Sequence, residues 1–145
     1  ELWYAPVLAG ELALPGGDVA EPFIDIEDVA DAAATVLTQP GQHAGKIYEL
    51  SGPRSITFSE AAELISLAAE TPVVYRSISP AEYTEALVRE GLTEQDASHI
   101  SEMFVMMQRG VLADPTDGVM TVLGRPARTF DDYVLRSAAT GVWRR

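Results

Sequence analysis

Cysteine is absent from the 145 residues. There is then no disulfide framework, no thiolate zinc site and no cysteine nucleophile. The absence fits a reducing compartment, and a cytoplasmic location is expected. Basic residues are scarce: 10 Lys and Arg stand against 22 Asp and Glu, a formal charge of −12. A binder of nucleic-acid phosphates needs a basic face, so nucleic acid is excluded as a partner. No apolar run approaches the ~18–20 residues of a membrane helix, so no membrane partner is expected. The opening stretch ELWYAPVLAGELALPGGD has no basic cluster and no Met. It does not read as a signal peptide, and the missing Met points to a piece of a longer chain.

Signature spacings are missing too. Neither GxGxxG nor GxxGxxG occurs, and neither does GxxxxGK[ST] or GxSxG. The glycines of LAGELALPGGD are interrupted by prolines and open no helix, so they cannot set a pyrophosphate on a helix N-terminus. No cofactor is therefore expected to bind this chain alone. Only two histidines are present, His43 and His99, far apart and without a companion at ligand spacing. No metal site is expected.

Apolar residues make up 47% of the chain. At this length it can bury a real core without staples, and one domain is the default. Residues 1–20 are punctuated by Pro6, Gly10, Pro15, Gly16 and Gly17, and no firm element is placed there. Glu21–Ile26 reads as a short buried strand. It runs into a helix capped by Asp25, with Asp28 set against the positive helix end. Val29, Ala33, Val36 and Leu37 form its apolar stripe, and Pro40 and Gly41 stop it. GQHAG reads as a polar turn, and Lys46–Gly52 as a second strand. Thr57 and Glu60 mark the capping box of the next helix, whose buried face includes Phe58, Ala61, Ala62 and Ile65. Pro72–Ile78 reads as a third strand. Beyond it the pattern is helical: Ser79-Pro80-Ala81-Glu82 opens one helix, and Thr93 caps a longer one to about Arg109. A short helix spans about Asp117–Leu123, and Thr129 caps the last. Residues 1–78 thus alternate strand and helix, and residues 79–145 are helical.

Candidate chemistry is sparse. His43 sits in the turn and reads as solvated. His99 flanks the apolar face of the long helix, as a boundary histidine or as an acid/base group lining a pocket. The carboxylates Asp25, Glu27, Asp28 and Asp31 read first as helix capping and second as an acid/base pair. Arg54, at a strand end, pairs with a local acid or holds an anion. The run Ile100–Met107 is rich in flexible apolar side chains. Met103, Met106 and Met107 cannot all face one side of a helix, so part of this surface is expected to meet a substrate, another domain or a second subunit.

The segment GELALPGGDVAEPFIDIEDVADAAATVLTQPGQHAGKIYELSGPRSITFSEAAELIS and the tail LGRPARTFDDYVLRSAATGVW resemble the NmrA-like, atypical short-chain dehydrogenase/reductase family. Within it they look most like NAD(P)H:quinone-reductase-like members. The resemblance implies an α/β fold: the C-terminal part of a Rossmann-like sheet, about three strands with covering helices, in 1–78. A small helical substrate-binding lobe follows in 79–145. It further implies NAD or NADP as cofactor, a quinone-like or carbonyl substrate, and a cofactor loop on an N-terminal half with no matching residues here. By position, Tyr83, His99, Met103, Phe104 and Met107 are the pocket candidates, and no catalytic residue can be assigned. Two other readings stay open: a cofactor-free isomerase, cyclase or lyase using His99 or Asp25, and a non-enzymatic sensor or interaction module. Under each reading, open strand edges and an uncovered apolar face predict a homo-oligomer or capture of the missing half.

Overall fold

The computed structural model describes residues 3–143. Five of its helices begin at a side-chain cap. α2 (Ile26–Thr38) has Asp25 as N-cap, whose carboxylate accepts from the Glu27 N–H at 2.9 Å. α4 (Phe58–Ala69), α5 (Pro80–Arg89) and α8 (Phe130–Ala139) open with full capping boxes at Thr57/Glu60, Ser79/Glu82 and Thr129/Asp132. α6 (Glu94–Gln108) is capped by Thr93, and α7 (Gly118–Leu123) follows Asp117. Each cap satisfies amide donors that the first helical turn leaves unpaired.

The strands depart further from expectation. The first twenty residues do hold elements: α1 (Tyr4–Ala9), closed by Gly10 at φ 87°, and β1 (Glu11–Leu14). β1 pairs in parallel with β4 (Val74–Ser77), in register Glu11 to Val74 and Leu14 to Ser77. Of the strand expected at Glu21–Ile26, only β2 (Ala20–Glu21) forms, antiparallel to β3 (Ile56–Thr57). Pro22 lacks an amide donor, and Asp25 is already engaged as a cap, so the ladder stops. Lys46–Gly52 is not a strand. A strand draws its hydrogen bonds from a neighbour, and none lies beside Lys46–Leu50 among the described residues. The GQHAG turn contains one helical turn, α3 (Pro40–His43). Its His43 is half-buried rather than solvated, with Nδ1 2.9 Å from the Tyr48 hydroxyl.

One core runs through the boundary at 78/79. It joins Val7, Leu12, Leu14, Phe58 and Ile65 to Tyr83, Leu87, Ala97, Phe104, Val134 and Trp143. α5 packs on α6, α4 on α8, and α2 on α7. Aromatic rings form its centre: Phe58 lies 5.2 Å from Phe23, 5.9 Å from Tyr75 and 5.9 Å from Phe104.

Of the stripe expected on α2, Val29 and Val36 are half-buried, while Ala33 and Leu37 are exposed. Ile26, Ala30, Ala33 and Leu37 share one face at i, i+4, i+7 and i+11, and all are exposed, Leu37 at 79%. The buried face is instead Asp25, Asp28 and Ala32, with Val29 and Val36 half-buried. Asp28, in the first turn of α2, is also fully buried against arginines that arrive from the far end of the chain.

Candidate functional site

α5 is amphipathic, and its spacing sets the site. Tyr83, Ala86, Leu87 and Glu90 recur at i, i+3, i+4 and i+7 and so share one face. That face looks across at α1 and β1. Between them runs a groove of about 530 Å3, lined among others by Trp3, Leu12, Leu14, Arg76, Tyr83 and Leu87. Tyr83 is 5% exposed, and its ring meets Phe104 edge-on at 5.4 Å. The Trp3 indole N–H donates to the Tyr83 Oη at 3.2 Å, and the indole ring also stands 6.4 Å from both Phe58 and Phe104. Burial pushes the Tyr83 hydroxyl above its ordinary value, so it stays a neutral donor at physiological pH.

The charged groups near the groove are mostly committed. Arg76 pairs with Glu11. The Glu82 carboxylate accepts from the Ser79 N–H at 2.8 Å, and Arg89 donates to the Glu85 carbonyl at 3.3 Å. The groove therefore sets the Trp3 indole and the Tyr83 phenol inside a net acidic rim that also includes Glu85 and Glu90.

The five residues expected at a pocket are divided. Tyr83 lines the groove. Phe104 is buried behind it, and Met107 is half-buried against the core. Met103 is 62% exposed, and His99 is exposed as well, both on the outer side of α6. Trp3 was missed because the first twenty residues carry no repeating pattern. The signal available was Gly10, a left-handed stop after a short helix.

The acidic cluster resolves into ion pairs. Asp28 accepts from the Arg128 backbone N–H at 2.7 Å and lies 2.8 Å from the Arg125 guanidinium; the Arg128 side chain also contacts it. Asp31 lies 2.7 Å from Arg125 and 3.1 Å from Arg128, and Arg136 pairs with Asp25. Asp25 is thus a cap and a salt-bridge partner. Arg54 pairs with Asp131 at 3.0 Å. The arginines escaped sequence reading because their partners lie roughly a hundred positions away.

The N-termini of the five side-chain-capped helices do not fit a pyrophosphate. A pyrophosphate needs open amides at a helix N-terminus. Here the N-termini of α2, α4, α5, α6 and α8 already hold their own Asp, Thr or Ser caps, and each carries acidic residues in its first turn. Among the described residues no group of three or more His, Asp or Glu is placed to hold a metal ion. No helix among them is long and apolar enough to cross a membrane.

No family model matches the chain. Its sequence is 34% identical over 140 residues to an NAD(P)H azoreductase of Xenophilus azovorans, covering 95% of this chain and 49% of that protein. The fold superposes on an NADPH-dependent quinone oxidoreductase from Escherichia coli with a TM-score of 0.79, at 27% identity, over 93% of this chain and 49% of that one. The chain is thus similar to about half of an NAD(P)H azoreductase and of an NADPH-dependent quinone oxidoreductase. It spans about half the length of these relatives. A triphenylmethane reductase of Citrobacter shares the fold, with a TM-score of 0.76 at 24% identity over 95% of this chain and 47% of that one. These similarities agree with the α/β architecture, the parallel β1–β4 pair included.

Proposed function

We propose that this chain is the substrate-binding portion of an NAD(P)H-dependent reductase of quinone-like or carbonyl compounds. The cofactor would sit on an N-terminal half, and the groove between β1 and α5 would hold the acceptor. The observation that carries this reading is the bare apolar stripe of α2. Ile26 and Leu37 stand 70% and 79% exposed, and Ile47 on the unpaired segment after α3 stands 93% exposed. Helices of a soluble fold turn such a stripe toward a partner surface. The relatives are twice as long and are described as NAD(P)H- or NADPH-dependent, so the occupant we assign is the remainder of the reductase sheet. Residues 46–50 would then find the strand neighbour they lack.

The division at 78/79 belongs to this reading, with 79–145 as the substrate lobe, although one core joins both parts. Cytoplasmic location and self-association of the isolated chain belong to it as well. His99 and Met103 would contact a partner surface rather than the groove.

The test joins the chain to a glycine-rich N-terminal half in one polypeptide. The joined protein should oxidise NADPH with 2-methyl-1,4-naphthoquinone, and the 145-residue chain should neither bind NADPH nor turn it over. Equal turnover by the chain alone, or a joined protein that binds NADPH and leaves the quinone untouched, would overturn the assignment.

A further inference from the structure

Tyr83 holds an unspent hydrogen-bond donor. Its oxygen accepts from the Trp3 indole at 3.2 Å, yet its own proton finds no acceptor among the described residues. A buried hydroxyl normally uses its donor. Here the residue is 5% exposed and borders an open groove of about 530 Å3, within the size range of small-molecule sites. We infer that the Tyr83 O–H donates to a carbonyl oxygen of a neutral, flat aromatic ligand lying in this groove, making Tyr83 a binding residue that selects for quinones and aryl ketones.

The chemistry of the surroundings narrows the ligand class. Trp3, 38% exposed, lines the groove beside the buried Tyr83, and its indole suits a flat partner. Glu11, Glu82, Glu85 and Glu90 border the groove with Arg76 and Arg89, and Arg76 is paired to Glu11, so the rim is net acidic and disfavours an anionic ligand. Within this acidic rim the unspent Tyr83 donor asks for a neutral acceptor such as a carbonyl oxygen. The indole N–H adds a second effect: donating into the phenolic oxygen polarises the O–H bond and fixes its direction, so the two hydrogen bonds strengthen each other. Burial keeps the phenol protonated, consistent with a donor and not a base.

This inference rests on the reading that the groove holds the acceptor substrate, and its test needs no turnover. The 15N-labelled 145-residue chain has two indole N–H signals, from Trp3 and Trp143; Trp3→Phe identifies which is which. The probes are 2-methyl-1,4-naphthoquinone and 2-methylnaphthalene, which lacks the carbonyls. The quinone should move the Trp3 indole signal, because its hydrogen-bond partner changes. Tyr83→Phe should weaken quinone binding about three- to tenfold, the worth of one neutral hydrogen bond, and leave methylnaphthalene binding unchanged. Trp3→Phe, which spares the phenol, should keep the preference for the quinone. A Trp3 signal that does not move, or a Tyr83→Phe protein that treats both probes as the wild type does, would overturn the inference. So would equal weakening for both probes. If the titration behaves as expected while the joined protein fails to oxidise NADPH, the reductase reading falls and the hydrogen bond stands; the reverse pattern removes the hydrogen bond alone.

Discussion

Two buried carboxylates, Asp28 and Glu21, have opposite surroundings and should respond oppositely to pH. Burial alone would raise the Asp28 carboxyl. The Arg128 backbone N–H and the Arg125 and Arg128 guanidinium groups outweigh burial and hold it below its ordinary value of 3.8. Its contribution is present above that pH and is lost as pH falls through the depressed folded value. Glu21 is 5% exposed with Oε1 unpartnered, and burial raises its carboxyl above 4.5. Its folded form is unpenalised below pH 4.5 and loses stability as pH climbs through the raised value. Urea unfolding should therefore find Asp28→Asn destabilised by about 3 kcal/mol at pH 7, with the gap closing in acid. That is the low end for a broken buried pair, since the Arg125 and Arg128 side chains are 35% and 29% exposed and can recover water. Glu21→Gln should gain about 1 kcal/mol at pH 7 and nothing below pH 4.5. Parallel pH profiles for the two variants would refute this account.

At the scale of elements, the seam between the loop after α6 and residues 49–55 is set by close backbone approach. The Thr116 N–H donates to Ser51 Oγ at 2.7 Å, and the Thr116 hydroxyl donates to the Glu49 carbonyl at 2.5 Å. A Cβ on Gly52 would overlap the Phe23 carbonyl oxygen, and one on Gly118 would overlap that of Glu49. Gly52→Ala should cost about 3 kcal/mol or more, because the obstacle is backbone and cannot rotate aside. Gly41→Ala, with open space around it, should change thermal stability by less than about 0.5 kcal/mol. Equal melting temperatures for the two variants would show that the seam yields. Helix starts were legible because a cap is a local event: Thr57 with Glu60, and Ser79 with Glu82, lie three residues apart. The strands were not, because a strand exists only through its neighbour. Val74–Ser77 found one in Glu11–Leu14, whereas Lys46–Leu50 did not.

For the whole molecule, the open α2 stripe and Ile47 leave apolar surface facing water. Such patches drive association when no partner covers them. The isolated chain should scatter light as an oligomer and bind an apolar dye. Leu37→Lys with Ile47→Lys should lower both signals while the helical circular dichroism is kept. A wild-type monomer with little dye binding would contradict the uncovered-face account. The candidate site was partly legible at this scale too. Tyr83 and Phe104 lie together, at the groove and behind it, because α5 packs on α6 with their buried faces opposed. His99 and Met103 share α6 with Phe104 but occupy its other side, and spacing along one helix could not say which side would be covered.

Local chemistry in the chain was enough to specify α2, α4, α5, α6 and α8 and their caps, since each cap depends on residues a few positions apart. Composition was enough to remove disulfide chemistry, because the chain has no cysteine. Which face of α2 is buried, which arginines neutralise its acids, and that Trp3 meets Tyr83 across eighty positions came from packing in three dimensions. Those outcomes turn on burial and long-range pairing, which neither periodicity nor motif encodes.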